Sequence, residues 1–190
     1  MMKLKLLKNR RALGTPVANL IIMMSAVILS ITVTFFAMNV TTSQVQKESI
    51  YISQTHLWYV NSTYSTGAIA ITNTGPTDIV LNKVIIKGLT CTWNGTTNYV
   101  IYTKSNETLK GDLPFTATFT NTANTTITIG NIPYNFDVAQ EGLTLKSGQT
   151  MVFYIALPQR LMVYDLGTPV RLVISTTQAA YCSETLVQTT

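Results

Sequence analysis

The side chains able to do chemistry are few and far apart. His56 is the only histidine among 190 residues, beside Leu57-Trp58-Tyr59, and it reads as a surface or junction residue. The eight carboxylates stand singly: Glu48, Asp78, Glu107, Asp112, Asp137, Glu141, Asp165 and Glu184. A zinc site or a pair of catalytic carboxylates needs several ligands at short spacing. The nearest approach is Asp137 and Glu141, which would meet on a helical turn or hold a cation, or else lie in a solvated loop. There is no glycine-rich phosphate loop, no Gly-x-Ser-x-Gly and no Cys-x-x-Cys. The expectation is a non-enzyme without metal or cofactor.

Two kinds of covalent modification are open to it. Cys91 and Cys182 are the only cysteines. In an oxidising compartment they are expected to pair, closing a loop of about 90 residues worth ~4 kcal/mol by chain entropy; the alternative is two buried free thiols. Asn-x-Ser/Thr sequons begin at Asn39, Asn61, Asn94, Asn106 and Asn124. In an exported chain these are glycan acceptors. Asn39 falls on a helix that would be buried in a bundle, so Asn61, Asn94, Asn106 and Asn124 are the expected sites.

Both expectations depend on export, and the N-terminal stretch supplies that. Lys3, Lys5, Lys8, Arg10 and Arg11 stand together without an acid, and from Ala12 to Gln46 there is no charge at all. Val17 to Met38 is apolar apart from Asn19, Ser25, Ser30, Thr32 and Thr34. About 20 apolar residues match the hydrocarbon thickness of a bilayer. Apolar residues on every side demand burial all round, in lipid or among copies of the same helix. The positive end stays inside and the C-terminal bulk is exported. Of the 13 bases in the chain, eight remain once these five are set aside, against eight acids. The basic balance thus reports the leader, and no nucleic-acid partner is expected. Thr15 suits a helix N-cap and Pro16 the first turn.

Arg10-Arg11-Ala12-Leu13-Gly14, followed by Thr15-Pro16 and the apolar run, resembles the class III signal of type IV pilin-like proteins. The resemblance implies that a prepilin-type signal peptidase cuts between Gly14 and Thr15 on the cytoplasmic side, leaving the helix in the mature chain. Asn19 stands where bacterial members carry Glu, which favours an archaeal type IV pilin. The implied organisation is a cleaved signal at residues 1–14, a hydrophobic assembly helix at 15–50 and a head at 51–190. Val17, Leu20, Ile21, Ile28, Leu29, Ile31, Phe35 and Phe36 would form the filament core. The implied partners are the chain itself, the peptidase, a pilus assembly ATPase and a membrane platform protein, with transient membrane insertion of the precursor.

The head is expected to be all-β. Short β-branched runs alternate with turn residues, predicting strands at His56–Asn61, Thr66–Thr72, Ile79–Lys87, Leu89–Trp93, Tyr99–Thr103, Phe115–Thr120, Thr125–Ile129, Thr150–Leu157, Val170–Thr176 and Tyr181–Val187. The unbroken apolar run Met151–Ala156 suits a central strand, and Ile127 and Ile129 share one face of theirs. Many short strands in about 140 residues argue for a single sandwich. AIAITNTGPTDIVLNKVIIKG and LTLKSGQTMVFYIAL are similar to the strand, Asn-Thr-Gly turn and following strand, and to the later hairpin, of archaeal immunoglobulin-like pilin heads. The fold expected is therefore α+β: a long N-terminal hydrophobic helix followed by an immunoglobulin-like all-β sandwich. The function expected is a structural subunit of an extracellular adhesion filament at the cell surface. The rivals are an archaellin, the subunit of a motility filament, and a single-span, surface-anchored β-sandwich that binds a sugar or protein.

Overall fold

A computed structural model describes residues 10–45, 47–116, 119–122, 124–157 and 160–190. The expected leader residues Lys3, Lys5 and Lys8 lie outside these. The chain divides into two units, residues 1–46 and 47–190.

The first unit is one helix, α1 (Arg10–Val45), 36 residues long. Its stretch Gly14–Thr42 is long and apolar enough to cross a membrane, about 44 Å of helix against a hydrocarbon core of about 30 Å. One boundary differs from expectation. The helix does not begin at Thr15; it runs through Gly14, Thr15 and Pro16 from Arg10, because Arg10 to Leu13 are good helix formers and nothing among them stops it. It ends at Val45, inside the expected window of Ser43 to Tyr51, and Ile50 already belongs to a strand.

The second unit has eleven strands: β1 (Ile50–Asn61), β2 (Tyr64–Asn73), β3 (Ile79–Ile86), β4 (Leu89–Thr90), β5 (Val100–Ser105), β6 (Thr125–Ile129), β7 (Ile132–Val138), β8 (Leu143–Leu145), β9 (Thr150–Ala156), β10 (Pro169–Thr176) and β11 (Ala180–Thr189). They form one sheet in the order β4-β3-β10-β11-β1-β2-β9-β5-β7-β6, with β8 paired to β3. All pairings are antiparallel except β1 with β11. Strand β11 is the corner. Its residues up to Leu186 pair with β10, and Val187 to Thr189 pair with β1.

The central strands are covered on both faces, and alternation shows how. From β9, Met151, Phe153 and Ile155 enter one core, shared with Ile69 and Ile71 of β2, Leu81 and Ile86 of β3, and Leu172 and Ile174 of β10. Strands from both halves of the sheet thus contribute to this core. The alternate residues Val152, Tyr154 and Ala156 enter a second core with Trp58, Ala68, Ala70, Ile127 and Phe136. All seven residues of β9 are buried, as its unbroken apolar run predicts. Ile127 and Ile129 point inward while Thr126 and Thr128 are exposed, as the alternation in β6 predicts.

Several strand expectations change. The strand expected over Leu89–Trp93 covers only Leu89–Thr90. Phe115, Thr116, Phe119 and Thr120 are not in a strand; Phe119 and the partly buried Phe115 instead cover the second core from a loop. Ile132–Val138 is a strand that Pro133 and Asn135 disguise; β5 pairs with it only at Asp137 and Val138, so Pro133 has no second strand to bond. LTLKSGQTMVFYIAL is not a hairpin: β8 pairs with β3 and β9 with β2, so the Ser147-Gly148 turn carries the chain from one half of the sheet to the other. The Asn73-Thr74-Gly75 turn makes the same crossing from β2 to β3.

Candidate functional site

Every described side chain of α1 from Gly14 to Thr42 is exposed. Among the residues expected in a filament core, exposure runs from 54% at Val17 to 70% at Phe36, with Leu20, Ile21, Ile28, Leu29, Ile31 and Phe35 between. Five of the mildly polar positions turn their hydroxyls back onto the helix. Ser25 Oγ donates to the Ile21 carbonyl at 2.7 Å, and the hydroxyls of Thr32, Thr34, Thr41 and Thr42 donate to the carbonyls of Ile28, Ser30, Ala37 and Met38 at 2.8 Å. Each hydroxyl is satisfied four residues back on its own helix. The helix therefore presents hydrocarbon to its surroundings with little polar demand.

Pro16 lies inside α1. It has no N–H for the carbonyl of Ala12, and its ring crowds that turn. Gly14, two residues earlier, adds backbone freedom of about 1 kcal/mol relative to Ala. The Gly14–Thr15 bond thus sits in the weakest turn of the helix, and a helix that began at Thr15 would lose nothing at Pro16. Arg10 and Arg11 lie in the first turn upstream.

Where the second unit begins, residues 47–49 are fastened to the sheet. Glu48 is buried and its Oε2 accepts from Thr176 Oγ1 at 2.6 Å. The Ser49 carbonyl accepts from the Thr74 and Gly75 amides at 2.9 and 3.1 Å. Gly75 is required here: a Cβ on it would come within 2.8 Å of the Ser49 amide nitrogen. Asn73, fully buried, joins both crossing turns. Its Nδ2 donates to the carbonyls of Thr77 and Leu145 at 2.8 and 3.1 Å, and its Oδ1 accepts from the Gly75 amide at 2.9 Å. Composition offers no hint of the part played by Asn73 or Glu48; only a buried amide or acid in an otherwise apolar frame reveals it.

The four expected sequon asparagines are all exposed. Three share one geometry. The Asn61 Oδ1 accepts from the Thr63 amide and hydroxyl and the Tyr64 amide at 2.9, 2.7 and 2.8 Å. The Asn94 Oδ1 accepts from Asn121 Nδ2 at 2.8 Å, and the Asn106 Oδ1 from Gln149 Nε2 at 3.0 Å. In each case the oxygen is anchored to protein, which directs the amide nitrogen, the atom that carries a glycan, away from the anchor. Asn124 is in the left-handed conformation, φ 65°, in the turn before β6.

The expected disulfide is not formed; both cysteines are free, Cys91 buried and Cys182 exposed. Cys182 lies opposite Val173, Val173 opposite Ile85 and Ile85 opposite Thr90. Cys91 thus follows a residue three strand spacings, about 14 Å, from Cys182, whereas a disulfide needs Cα atoms within about 7 Å. Burial pushes the Cys91 thiol up to about 11, against the opposing Arg160 guanidinium, whose Nη1 lies 3.4 Å from Sγ.

Asp137 and Glu141 do not share a helical turn. Asp137 is on β7 opposite Tyr102, and Glu141 lies in the turn before β8; both line one surface cleft. His56 Nε2 meets Asp112 Oδ1 at 2.8 Å, which, with Gln54 Nε2 donating to the Gly111 carbonyl at 3.0 Å, ties the loop after β5 to β1. The buried Asp165 takes Lys87 Nζ at 2.6 Å and the Met162 amide at 2.8 Å. Among the described residues, no three His, Cys, Asp and Glu side chains come together to hold a metal. No protein-family model and no curated protein matches the chain.

Proposed function

We propose that the chain is the structural subunit of an extracellular filament of the archaeal type IV pilus kind. Its helix forms the filament core, and residues 47–190 form the outer sheath as an immunoglobulin-like sandwich with a role in surface adhesion. The observation that carries this reading is α1: hydrocarbon on all sides, most of its hydroxyls internally satisfied, attached to a unit that has its own closed cores. Such a helix is stable only in lipid or among copies of itself. The precursor waits in the membrane, a prepilin-type peptidase removes residues 1–14, and an assembly ATPase and membrane platform move the helix from lipid into the growing polymer. In a homopolymer each helix is covered by its neighbours, and the sparse charge of the head lets identical copies lie side by side.

A second reading is favoured by one observation. Because α1 continues unbroken through Gly14, an uncut chain would serve as a single-span surface anchor for the head. The N-terminal residue of the surface-exposed protein separates the two. Thr15 together with shed filaments supports the pilin. Met1 or Met2, with no filaments in electron micrographs, overturns it in favour of the anchor. Swimming driven by those filaments would mark an archaellin instead.

A further inference from the structure

Beside Asn94 lies a cleft of about 580 Å³ whose lining mixes polar side chains with Cys91 and Trp93. Asn82 and Lys83 come from β3, Thr92 and Asn94 from the segment after β4, and Gln140 and Glu141 from the turn after β7. All six are exposed. The floor is held by Trp93, whose indole Nε1 donates to the Asn82 carbonyl at 3.1 Å. One lysine and one glutamate cancel, so the cleft has no preference for an anion or a cation. Cys91 and the Trp93 ring supply the apolar part of the lining, the kind of flat face on which a sugar ring rests. Amides, hydroxyls and one charge of each sign are the donors and acceptors that match a polyhydroxylated ligand. The rim carries an attachment point for such a ligand. Asn94-Gly95-Thr96 is a sequon, and the Asn94 Oδ1 is held by Asn121 Nδ2 at 2.8 Å, leaving Nδ2 as the free end of the amide.

We propose that this cleft is a seat for an oligosaccharide, and that its occupant is the N-linked glycan carried by Asn94 itself. The inference rests on the proposed export of residues 47–190. Attachment forms the bond from Asn94 Nδ2 to C1 of the first sugar and breaks the C1–O bond of a lipid-phosphate-linked oligosaccharide. The lipid phosphate leaves with the bonding electrons, Nδ2 loses one proton to a base, and a separate membrane transferase carries out the step. Seated, the glycan bridges three stretches that are distant in sequence and covers Lys83.

The test measures acylation of Lys83 by a water-soluble amine reagent on full-length protein purified from its own cells, with glycopeptide masses determined in parallel. Two variants are compared. Thr96→Ala removes the sequon and leaves the cleft lining intact. Gln140→Ala/Glu141→Ala keeps the sequon and removes one wall. A short tether sets an effective concentration in the mM range, so a seat that holds free saccharide at only about 1 mM slows Lys83 acylation roughly fivefold relative to Thr96→Ala. The double variant should keep the glycan mass and lose the protection. Equal acylation in the native protein and Thr96→Ala overturns the seat. So does a bare Asn94 in a chain glycosylated at Asn61, Asn106 or Asn124, which leaves export standing. Four bare asparagines overturn the seat and count against the exported, glycosylated head as well. Adding the released oligosaccharide to Thr96→Ala distinguishes the sources: protection only at mM free sugar fits a tethered occupant, and full protection at µM sugar would instead make the cleft a receptor for a foreign saccharide and overturn the assignment of its occupant.

Discussion

Glu48 and Thr176, 128 residues apart, are joined by a 2.6 Å hydrogen bond between Oε2 and Oγ1, with both residues buried. The Thr176 hydroxyl oxygen also accepts from the amides of Gln178 and Ala179 at 3.2 and 2.9 Å. One hydroxyl therefore closes the β10–β11 turn and holds the first residues of the second unit. Thr176→Val keeps the shape but leaves the carboxylate and two amides without this partner, a cost of about 1–3 kcal/mol. Thr176→Ser should retain most of the stability. Urea unfolding followed by tryptophan fluorescence measures the difference, and equal midpoints for Val and Ser would show that the hydroxyl does not matter.

Lys87 and Asp165 fasten the β3–β4 turn to the Val163–Asp165 turn, and this contact gives stability a pH dependence. Burial alone would raise the Asp165 pKa. The Lys87 ammonium and the Met162 amide outweigh it and hold the carboxyl below its usual range. A carboxyl depressed on folding contributes fully above its unfolded pKa of about 4, and the contribution fades as pH falls through the lower folded value. Asp165→Asn should therefore destabilise the protein at pH 7 and converge with the native protein under strong acid. A constant difference across pH 2–7 would mean that charge is not the cause.

The cysteines should behave as two unlike thiols. Cys182 is exposed and 3.1 Å from Arg171 Nη2. Cys91 is buried, and with its thiol pushed up to about 11 it stays protonated at pH 8. Iodoacetamide on the native protein should modify Cys182 alone, and denaturation without reductant should then expose Cys91. A single linked peptide in non-reducing maps would restore the disulfide expected of two cysteines in an exported chain.

Some of this architecture is legible in the residues alone. The apolar helix declares itself because nothing between Val17 and Met38 is charged, and β9 because its apolar run is too short for a helix of that kind and too continuous for a surface strand. Partners are not legible in the same way. Ser147-Gly148 reads identically whether it closes a hairpin or carries the chain across to the other half of the sheet. The crossing is secured by Asn73, 72 residues from Leu145, whose carbonyl it holds. Pro133 and Asn135 hide β7, and Pro133 is tolerated because β5 pairs with β7 only at Asp137 and Val138, leaving one side of the strand open at the proline. The cleft beside Asn94 is assembled from residues 82–94 and 140–141, which only the pairing of strands brings together. The cysteines fail as a pair for the same reason: both lie in the head, but the strands between them set the distance.

Processing follows from Pro16. A peptidase needs an extended bond, so the turn around Gly14–Thr15 must open first. Restoring the missing hydrogen bond with Pro16→Ala stabilises that turn by about 3 kcal/mol, so cleavage should slow by up to about 100-fold. Pulse labelling of the precursor reads this directly. Gly14→Leu, which fills the position before the cut, should leave a membrane-bound precursor. Normal processing of both variants would mean that the bond cut is elsewhere.

Assembly depends on the helix surface itself. Burying one large aliphatic side chain is worth roughly 1.5–3 kcal/mol relative to water. The helix arrives from lipid rather than from water, so only part of that is gained, but Val17, Leu20, Ile21, Ile28, Leu29, Ile31, Phe35 and Phe36 all contribute in every copy. Ile28 is 64% exposed on the isolated helix and would be enclosed in a bundle. Lysine there would bring a charge into hydrocarbon without a partner, since the described helix from Gly14 to Thr42 offers no acid to meet it. Ile28→Lys should abolish filaments, while Ile28→Leu, which conserves volume and apolarity, should assemble normally. The described cores are built from side chains of residues 50–187, so limited proteolysis should find the head equally resistant in both variants. Electron microscopy of shed material then gives the answer. If Ile28→Lys polymerises like the native chain, the helix is not the filament core, and α1 is an anchor for a surface-bound head.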